Sequence, residues 1–448
     1  MKNTDRYRKT VEIIFEIFLV LIMTALFIYV FIYKYHDTIF YSNRGNYVLA
    51  ILYAIEFSIF SLLYGGDKLE ASSILDLSIS NFISLVITNF LMYLVISLIA
   101  FRIINVIWFI ILTVIQLLFV VIVSFLFSKF FNNKFSPRKC LFIYTNSDNG
   151  IYRKINKYRS NNFNIYKSIN TKSYDHEVES ELKQADCVMI VNENEELKSN
   201  IIKKCFEANK SVYLVPSIYD VLLNNGKVAH WIDTPVLKIN HLGPQQLEKV
   251  LKRTMDIVVS LIVILVIWPI MLIVAIAIKL EDNGPIIYSQ TRLTQYEKEF
   301  RIYKFRSMRV DAEKNGKAQF AKENDDRITK VGKVIRSLRF DELPQVINIL
   351  KGDMSLVGPR PERPEIAKSI YEKFPEFRYR LKVKAGLTGY AQVYGKYNTS
   401  LRDKLLLDLL YIENYSILTD IKLILMTVKI IFSKDSTEGV DENTDLNL

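Results

Sequence analysis

A short segment in the C-terminal half of the chain holds the residues best suited to chemistry. Asp341 and Glu342 are adjacent, Arg336 and Arg360 lie on either side of them, and Pro344 suits the first turn of a following helix. Carboxylates close to fixed cations indicate phosphate and metal chemistry. The acidic pair alone would be a helix-capping signal, so the functional interpretation depends on these residues occurring together.

Composition shows what kind of protein must hold these residues in place. Half of the 448 residues are hydrophobic, and the formal net charge is +11, which together fit a membrane protein with basic cytoplasmic loops. A basic surface also suits anionic lipid headgroups and diphosphates. Basic residues do not alternate with aromatic ones in a stripe, so nucleic acid is not an expected partner. The cysteines and histidines lack zinc-ligand spacing, so zinc is not expected.

Four apolar runs, at 11–33, 47–64, 79–101 and 103–128, begin the chain. Each is near the roughly 20 residues that a helix needs to cross the hydrocarbon core of a bilayer. Basic residues precede the first run and follow the fourth, which places both ends on the cytoplasmic side. Residues 1–135 are therefore predicted to form a four-helix transmembrane bundle.

Strands alternate with polar helices from residue 139 to residue 242, which predicts a Rossmann-like α/β middle domain. The turn after the first strand, at residues 145–150, lacks the Gly-x-Gly-x-x-Gly pattern, so NAD binding is not expected. A regulatory ligand and a purely structural role both remain open. The predicted strands are Leu141–Tyr144, Asn164–Tyr166, Cys187–Val191, Val212–Val215 and Val236–Ile239.

A fifth apolar run, within residues 254–280, is interrupted by Pro269. Proline inside a helix removes a hydrogen bond and favours a bend. Lysines and arginines flank the run on both sides, which predicts that both ends face the cytoplasm and that the helix is re-entrant; a kinked full span is the alternative. Arg253 and Asp256 at its start are interpreted as a structural ion pair.

The segment from about Lys252 to Phe432 resembles the bacterial sugar transferase family, also called polyprenyl-phosphate sugar-1-phosphate transferases. Arg339-Phe340 departs from that pattern, because smaller or more apolar residues are usual there. Four blocks in order carry the resemblance: Lys252–Asp256, Tyr303–Met308, the segment around Asp341-Glu342, and Ala385–Val393.

The resemblance implies a monotopic, α-rich catalytic domain at residues 248–434, and a mixed membrane protein overall. In that family, the aspartate of the dyad attacks the β-phosphorus of a nucleotide sugar, and polyprenyl phosphate then takes the sugar phosphate from it. Carried over, Asp341 is the nucleophile and Glu342 helps to hold Mg²⁺. Arg336 and Arg360 are the first candidates for phosphate binding, and Lys304 and Arg306 are weaker ones because they could be solvated or contact lipid headgroups.

The expected substrates are a UDP-sugar, with UDP-glucose first and UDP-galactose second, and undecaprenyl phosphate in the bacterial plasma membrane. A homodimer and contacts with other polysaccharide-assembly proteins are possible partners by the same resemblance. Two other functions stay open: a membrane hydrolase of nucleotide sugars or lipid diphosphates, and a non-catalytic assembly scaffold. The acidic residues 435–448 are expected to be a disordered tail.

Overall fold

The computed structural model divides the chain into two compact units, residues 1–215 and 216–448. The predicted tail at 435–448 and the turn at 145–150 lie outside the described residues. The structure describes residues 2–35, 44–70, 73–144, 163–170, 180–191, 194–224, 226–231, 234–239, 243–244, 246–310, 327–395 and 399–431.

Four long apolar helices open the first unit, as predicted. They are α1 (Lys2–Lys34), α2 (Arg44–Tyr64), α3 (Ile74–Ile99) and α4 (Ile107–Lys134), and each is long and apolar enough to cross a membrane. Apolar side chains that point away from the bundle stay exposed, as expected for surfaces that meet lipid.

One buried glutamine on α4 joins all four helices. The Nε2 of Gln116 donates to the Tyr53 hydroxyl of α2 at 2.8 Å and to the Met23 carbonyl of α1 at 3.1 Å. The Nδ2 of Asn89 on α3 donates to the Gln116 Oε1 at 2.8 Å. Polar groups inside a membrane bundle must find partners within the protein, so this network favours one arrangement of the four helices.

A parallel sheet completes the first unit. Its strands are β1 (Arg138–Tyr144), β2 (Phe163–Asn170), β3 (Cys187–Val191) and β4 (Ser211–Leu214), in the order β2-β1-β3-β4, with α5 (Glu195–Glu207) between β3 and β4. Four of the five predicted strands are therefore confirmed as members of one parallel sheet.

The fifth predicted strand lies elsewhere. Residues Thr234–Lys238 form β6, which pairs antiparallel with β5 (Lys227–Trp231) in a separate hairpin of the second unit. The connection between β5 and β6 is too short for the crossover that a parallel neighbour requires. Because β6 pairs with β5 and with none of the described strands β1–β4, the prediction that this strand joins the Rossmann-like sheet was wrong.

The second unit is rich in short helices around a core that includes the fully buried Ile349, Met354, Leu405 and Leu409. Short 3₁₀ segments cover Phe340–Glu342 and Pro375–Lys382. Its other elements are α6 (Ile218–Asn224), α7 (Gln246–Asp282), β7 (Ile287–Leu293), β8 (Glu299–Phe305), α8 (Lys330–Ser337), α9 (Gln345–Lys351), β9 (Ser355–Val357), α10 (Pro364–Lys373), β10 (Gly386–Thr388), α11 (Tyr390–Tyr394), α12 (Leu401–Glu413) and α13 (Ile417–Ile431).

The fifth apolar run forms the 37-residue helix α7, with Pro269 inside it and no loop there. A change of direction at Pro269 must therefore be a bend within the helix, where proline lacks an N–H group. The first part of α7 contacts α9 and β9, and its last part packs Val274 and Ile278 against Phe305 of β8. Its middle is exposed, with Leu265 at 74%. Both ends of this apolar helix thus pack against other elements of the second unit.

Arg253 and Asp256 have separate partners, so their interpretation as a mutual ion pair was wrong. Arg253 donates to the carbonyls of Ile349 and Leu350 at 2.6 and 2.7 Å, where the end of α9 leaves carbonyls without helical partners. Asp256 accepts hydrogen bonds from the Leu356 amide and the Ser355 hydroxyl, both at 3.1 Å. Both residues thus attach α7 to the elements that carry the site.

Candidate active site

One face of the β7–β8 hairpin forms the floor of a pocket. Arg292 is paired with Phe300, Gln290 with Ile302, and Tyr288 with Lys304. Paired residues of antiparallel strands share a face, and alternate residues of one strand share it too. Arg292, Ile302 and Lys304 therefore all line the pocket.

The acidic dyad lies on a tight turn between two helices. Helix α8 is capped by the Thr329 hydroxyl, and the chain then passes through Arg339 in the left-handed conformation, with φ of 57°. The 3₁₀ turn Phe340–Glu342 follows, and Pro344 is the N-cap of α9. This sharp reversal presents both carboxylates at the start of α9.

Arg339 and Phe340, the residues that depart from the usual family pattern, have identifiable contacts. The Arg339 guanidinium lies 3.9 Å from the second carboxylate oxygen of Glu342. Phe340 packs against the cluster that contains Phe305 and Ile335. The larger side chains are therefore accommodated beside the dyad.

Glu342 is a largely buried anion, with its side chain 12% exposed, and it is held by two cations. Its Oε1 accepts hydrogen bonds from Lys304 Nζ at 2.9 Å and from Arg360 NH2 at 3.0 Å. Burial alone would raise the pKa of Glu342, but the charges of Lys304 and Arg360 outweigh it and hold that pKa well below its usual range. Glu342 is therefore ionised at neutral pH.

Asp341 differs sharply from its neighbour. Burial raises its pKa above the ordinary value, and the negative charge of Glu342 adds to that rise, while Lys304, Arg336 and Arg360 oppose it. Among the described residues it accepts no hydrogen bond, and its side chain is half-buried. A carboxylate that is near cations but without hydrogen bonds keeps its lone pairs available for reaction.

The turn that carries Arg360 packs closely against a second backbone segment, which contains Gly386. Gly358 donates to the Thr388 carbonyl at 2.8 Å, and Gly386 donates to the Pro359 carbonyl at 2.9 Å. A Cβ atom on Gly386 would lie 2.0 Å from the Gly358 nitrogen, so only glycine fits. Two further contacts fix this region: the Tyr411 hydroxyl donates to the Val357 carbonyl at 3.1 Å, and Arg380 donates to the Arg360 carbonyl at 3.0 Å.

Residues 247–434 match the family model for bacterial sugar transferase. The chain is 41% identical over 191 residues to the exopolysaccharide production protein PSS of Rhizobium leguminosarum bv. phaseoli, which covers 41% of this chain and 95% of that protein. The chain belongs to the bacterial sugar transferase family.

Two larger relatives carry more specific names. The UDP-N-acetylgalactosamine-undecaprenyl-phosphate N-acetylgalactosaminephosphotransferase of Aeromonas hydrophila is 40% identical over 238 residues, which are 52% of this chain and 55% of that protein. The UDP-glucose:undecaprenyl-phosphate glucose-1-phosphate transferase of Escherichia coli K12 is 34% identical over 233 residues, 51% of this chain and 50% of that protein. The chain thus spans about half the length of these two relatives.

Within this bacterial sugar transferase segment, the structure brings most of the predicted site residues together. Lys304 and Arg360 bind Glu342, and Arg336 lies close enough to Asp341 to affect its ionisation. Arg306 does not join them, because its guanidinium pairs with Asp282 at the end of α7, with NH1 2.8 Å from Oδ2.

The sequence-based reasoning missed Arg292. It is half-buried, lines the same pocket as Lys304 and Arg360, and its guanidinium is fixed by Gln290 and the Pro361 carbonyl. The signal in the sequence was the alternation Gln290-Thr-Arg292, whereas the antiparallel pairing with the strand that carries Lys304 comes from the structure.

Proposed function

We propose that the protein transfers a sugar-1-phosphate from a UDP-sugar to undecaprenyl phosphate, giving undecaprenyl-diphosphate-sugar and UMP. This reaction would be the first membrane step of exopolysaccharide or capsule synthesis. The observation that carries the proposal is the contrast within the dyad, where Glu342 holds two cations and Asp341 has no hydrogen bond from the described residues. Such a site offers one carboxylate to react and several cations to bind phosphate.

The proposed reaction has two half-reactions. Asp341 attacks the β-phosphorus of the UDP-sugar, the bond to the bridging oxygen breaks, and UMP leaves with the electron pair. Undecaprenyl phosphate then attacks the phosphorus bound to Asp341, and the carboxylate is released. Phosphoryl transfer depends mainly on positioning and on neutralising charge, and we assign these tasks to Lys304, Arg336 and Arg360.

The donor set fits Mg²⁺. This metal is usually held by one or two carboxylates together with substrate phosphates. The described residues contain no cluster of three or more His, Cys, Asp or Glu side chains that could hold a metal alone, so phosphate oxygens of the substrate would complete the site. Glu342 would hold the ion beside Asp341, and the bound Mg²⁺ would neutralise charge on the phosphates.

The sugar is the least constrained part of the proposal. The two relatives named above differ in it, since one carries N-acetylgalactosamine in its name and the other glucose. Glucose is our first proposal and galactose the second, each carried by UDP.

The proposed location is the bacterial plasma membrane, with the catalytic segment on the cytoplasmic side. Basic residues flank both the four-helix bundle and α7, and this distribution favours a cytoplasmic position for the flanks. In this arrangement α7 is re-entrant, with its bend at Pro269. Contact of its exposed apolar middle with lipid would hold the dyad near the plane of the polyprenyl phosphate. A homodimer and other polysaccharide-assembly proteins are further proposed partners.

The test is to offer the purified protein a panel of UDP-sugars with undecaprenyl phosphate and Mg²⁺, and to identify the lipid product. A lipid-linked sugar diphosphate with release of UMP supports the proposal, and Asp341→Asn serves as the inactive control. UMP released at the same rate without the lipid would indicate a hydrolase. Absence of turnover with every sugar would favour the scaffold.

A further inference from the structure

Arg292 is a half-buried cation with unusual partners. Its NH1 donates to the Pro361 carbonyl at 3.1 Å, and its NH2 donates to Gln290 Oε1 at 2.9 Å. Its Nε is buried without a hydrogen-bond partner in the part of the chain that the structure describes. Both contacts are to neutral groups, so they orient the guanidinium without neutralising it.

The electrostatic surroundings of Arg292 favour an anion. Burial lowers the pKa of Arg292, and the charges of Arg360 and Arg363 lower it further, although Glu362 opposes them. Lys304 and Arg360 line the same pocket, and both are bound to Glu342. A buried charge is costly unless it is paired, and a phosphate in this pocket would pair Arg292.

The position of Arg292 indicates which phosphate it would bind. Arg360 connects the dyad with Arg292. Its side chain binds Glu342 of the dyad, and the next residue, Pro361, accepts a hydrogen bond from Arg292. The charges that most affect Asp341 are those of Glu342, Lys304, Arg336 and Arg360. Among the described residues, Arg292 is thus linked to the dyad through the Arg360–Pro361 segment and has no hydrogen bond of its own to either carboxylate of the dyad.

We infer that Arg292 binds the α-phosphate of the nucleotide sugar and stabilises it as it leaves; this inference rests on the proposed function above. When Asp341 Oδ forms its bond to the β-phosphorus, the bond between that phosphorus and the bridging oxygen breaks. The electron pair remains on the bridging oxygen, which departs with the α-phosphate as UMP. A guanidinium matches such an oxyanion with parallel hydrogen bonds, and Gln290 holds it in place.

The two half-reactions allow a sharp test with Arg292→Met and Arg292→Lys. In ping-pong kinetics, kcat/KM for the UDP-sugar reports only the first half-reaction, and kcat/KM for undecaprenyl phosphate reports only the second. We expect Arg292→Met to lower the first value about 10- to 100-fold, the effect of one charged hydrogen-bonding partner, and to leave the second nearly unchanged. Arg292→Lys should restore part of the loss. Inhibition by UMP should weaken by a similar factor.

A matched control removes the same charge from the other face of the hairpin. Arg301 on β8 is exposed, and its neighbours Ile302 and Phe300 point to the opposite side, so Arg301→Met should change neither value. Equal losses in both half-reactions of a folded Arg292→Met, or unchanged UMP inhibition, would overturn the inference. If the wild-type protein itself failed to exchange labelled UMP with the UDP-sugar in the absence of lipid, the proposed function would fail instead.

Discussion

The tip of the β7–β8 hairpin stores strain that two substitutions should release. The turn Gln295–Lys298 closes with a hydrogen bond from the Lys298 amide to the Gln295 carbonyl at 3.4 Å. Its two central residues, Tyr296 and Glu297, both have positive φ, at 57° and 60°. Two-residue turns of this kind favour Asn-Gly, yet this chain uses a tyrosine and a glutamate. The replacement Tyr296→Asn with Glu297→Gly should therefore stabilise the fold.

The stabilisation expected for the double variant depends on the backbone conformation of the two replaced residues and on the contacts that they make. A residue other than glycine in the left-handed conformation costs roughly 1–2 kcal/mol, and the extra flexibility of glycine in the unfolded chain returns about 0.5–1 kcal/mol of that. Little contact is lost, because Tyr296 is 67% exposed and Glu297 lies 3.9 Å from Arg378 in an exposed pair, which is worth at most about 1 kcal/mol. The net gain for the double variant is about 1–2 kcal/mol.

Scanning fluorimetry of the detergent-solubilised protein at one fixed scan rate measures this gain. A unit of this size shifts its Tm by roughly 2–4 °C per kcal/mol, so the double variant should melt about 2–8 °C higher. Lys298→Gly is the matched control, since Lys298 has an ordinary φ of −67° and should lose stability. An unchanged or lower Tm in the double variant would refute the claim that the turn is strained.

Four further predictions concern the site and its support. Asp341→Asn should abolish transfer while the protein still folds and enters the membrane, and near-normal release of UMP from this variant would refute the nucleophile assignment. Lys304→Met should move the acid limb of the pH profile of kcat/KM for the UDP-sugar to higher pH, because loss of a cation that favours the ionised carboxylate raises the pKa of Asp341; an acid limb that stays in place or moves to lower pH would contradict this. A chain without residues 1–240 should keep measurable transfer in lipid, because all four motif blocks lie after that point; an inactive but folded truncation would show that the first unit, or the α6 and β5–β6 segment of the second unit that is also removed, completes the site. Single cysteines at Glu248 and Glu299, in a background without native cysteines, should both react with a cytoplasmic probe, and labelling of position 299 only from outside would exclude the re-entrant arrangement.

The sequence predicts most of the candidate site residues because they lie in short contiguous motifs. Glu342 binds both Lys304 and Arg360 in the structure, and Asp341 lies beside it on the tight turn at Phe340–Glu342. The apolar helices are also predictable from the sequence, because membrane crossing requires a length and a composition that few other structures share.

The residues whose roles were predicted wrongly or missed make contacts that link distant parts of the chain. Arg306 looks equivalent to Lys304 in sequence, but it lies beyond the end of β8 and pairs with Asp282. Arg292 escaped notice because its role depends on strand register, which a single sequence does not specify. Arg253 and Asp256 are neighbours on one helix turn, but Arg253 binds a backbone carbonyl at the end of α9 and Asp256 binds a backbone amide of β9.

The contacts that hold α7 can form only late in the synthesis of the chain. Lys252 on α7 meets Asp420 on α13 at 2.5 Å across 168 residues of chain. At about 5–20 residues per second of synthesis, Asp420 follows Lys252 by roughly 8–34 s. The apolar helix therefore emerges long before the residues that later hold it. When α7 is made, its own sequence, with basic flanks and Pro269, is present together with the four preceding apolar helices, whereas Asp420 is not.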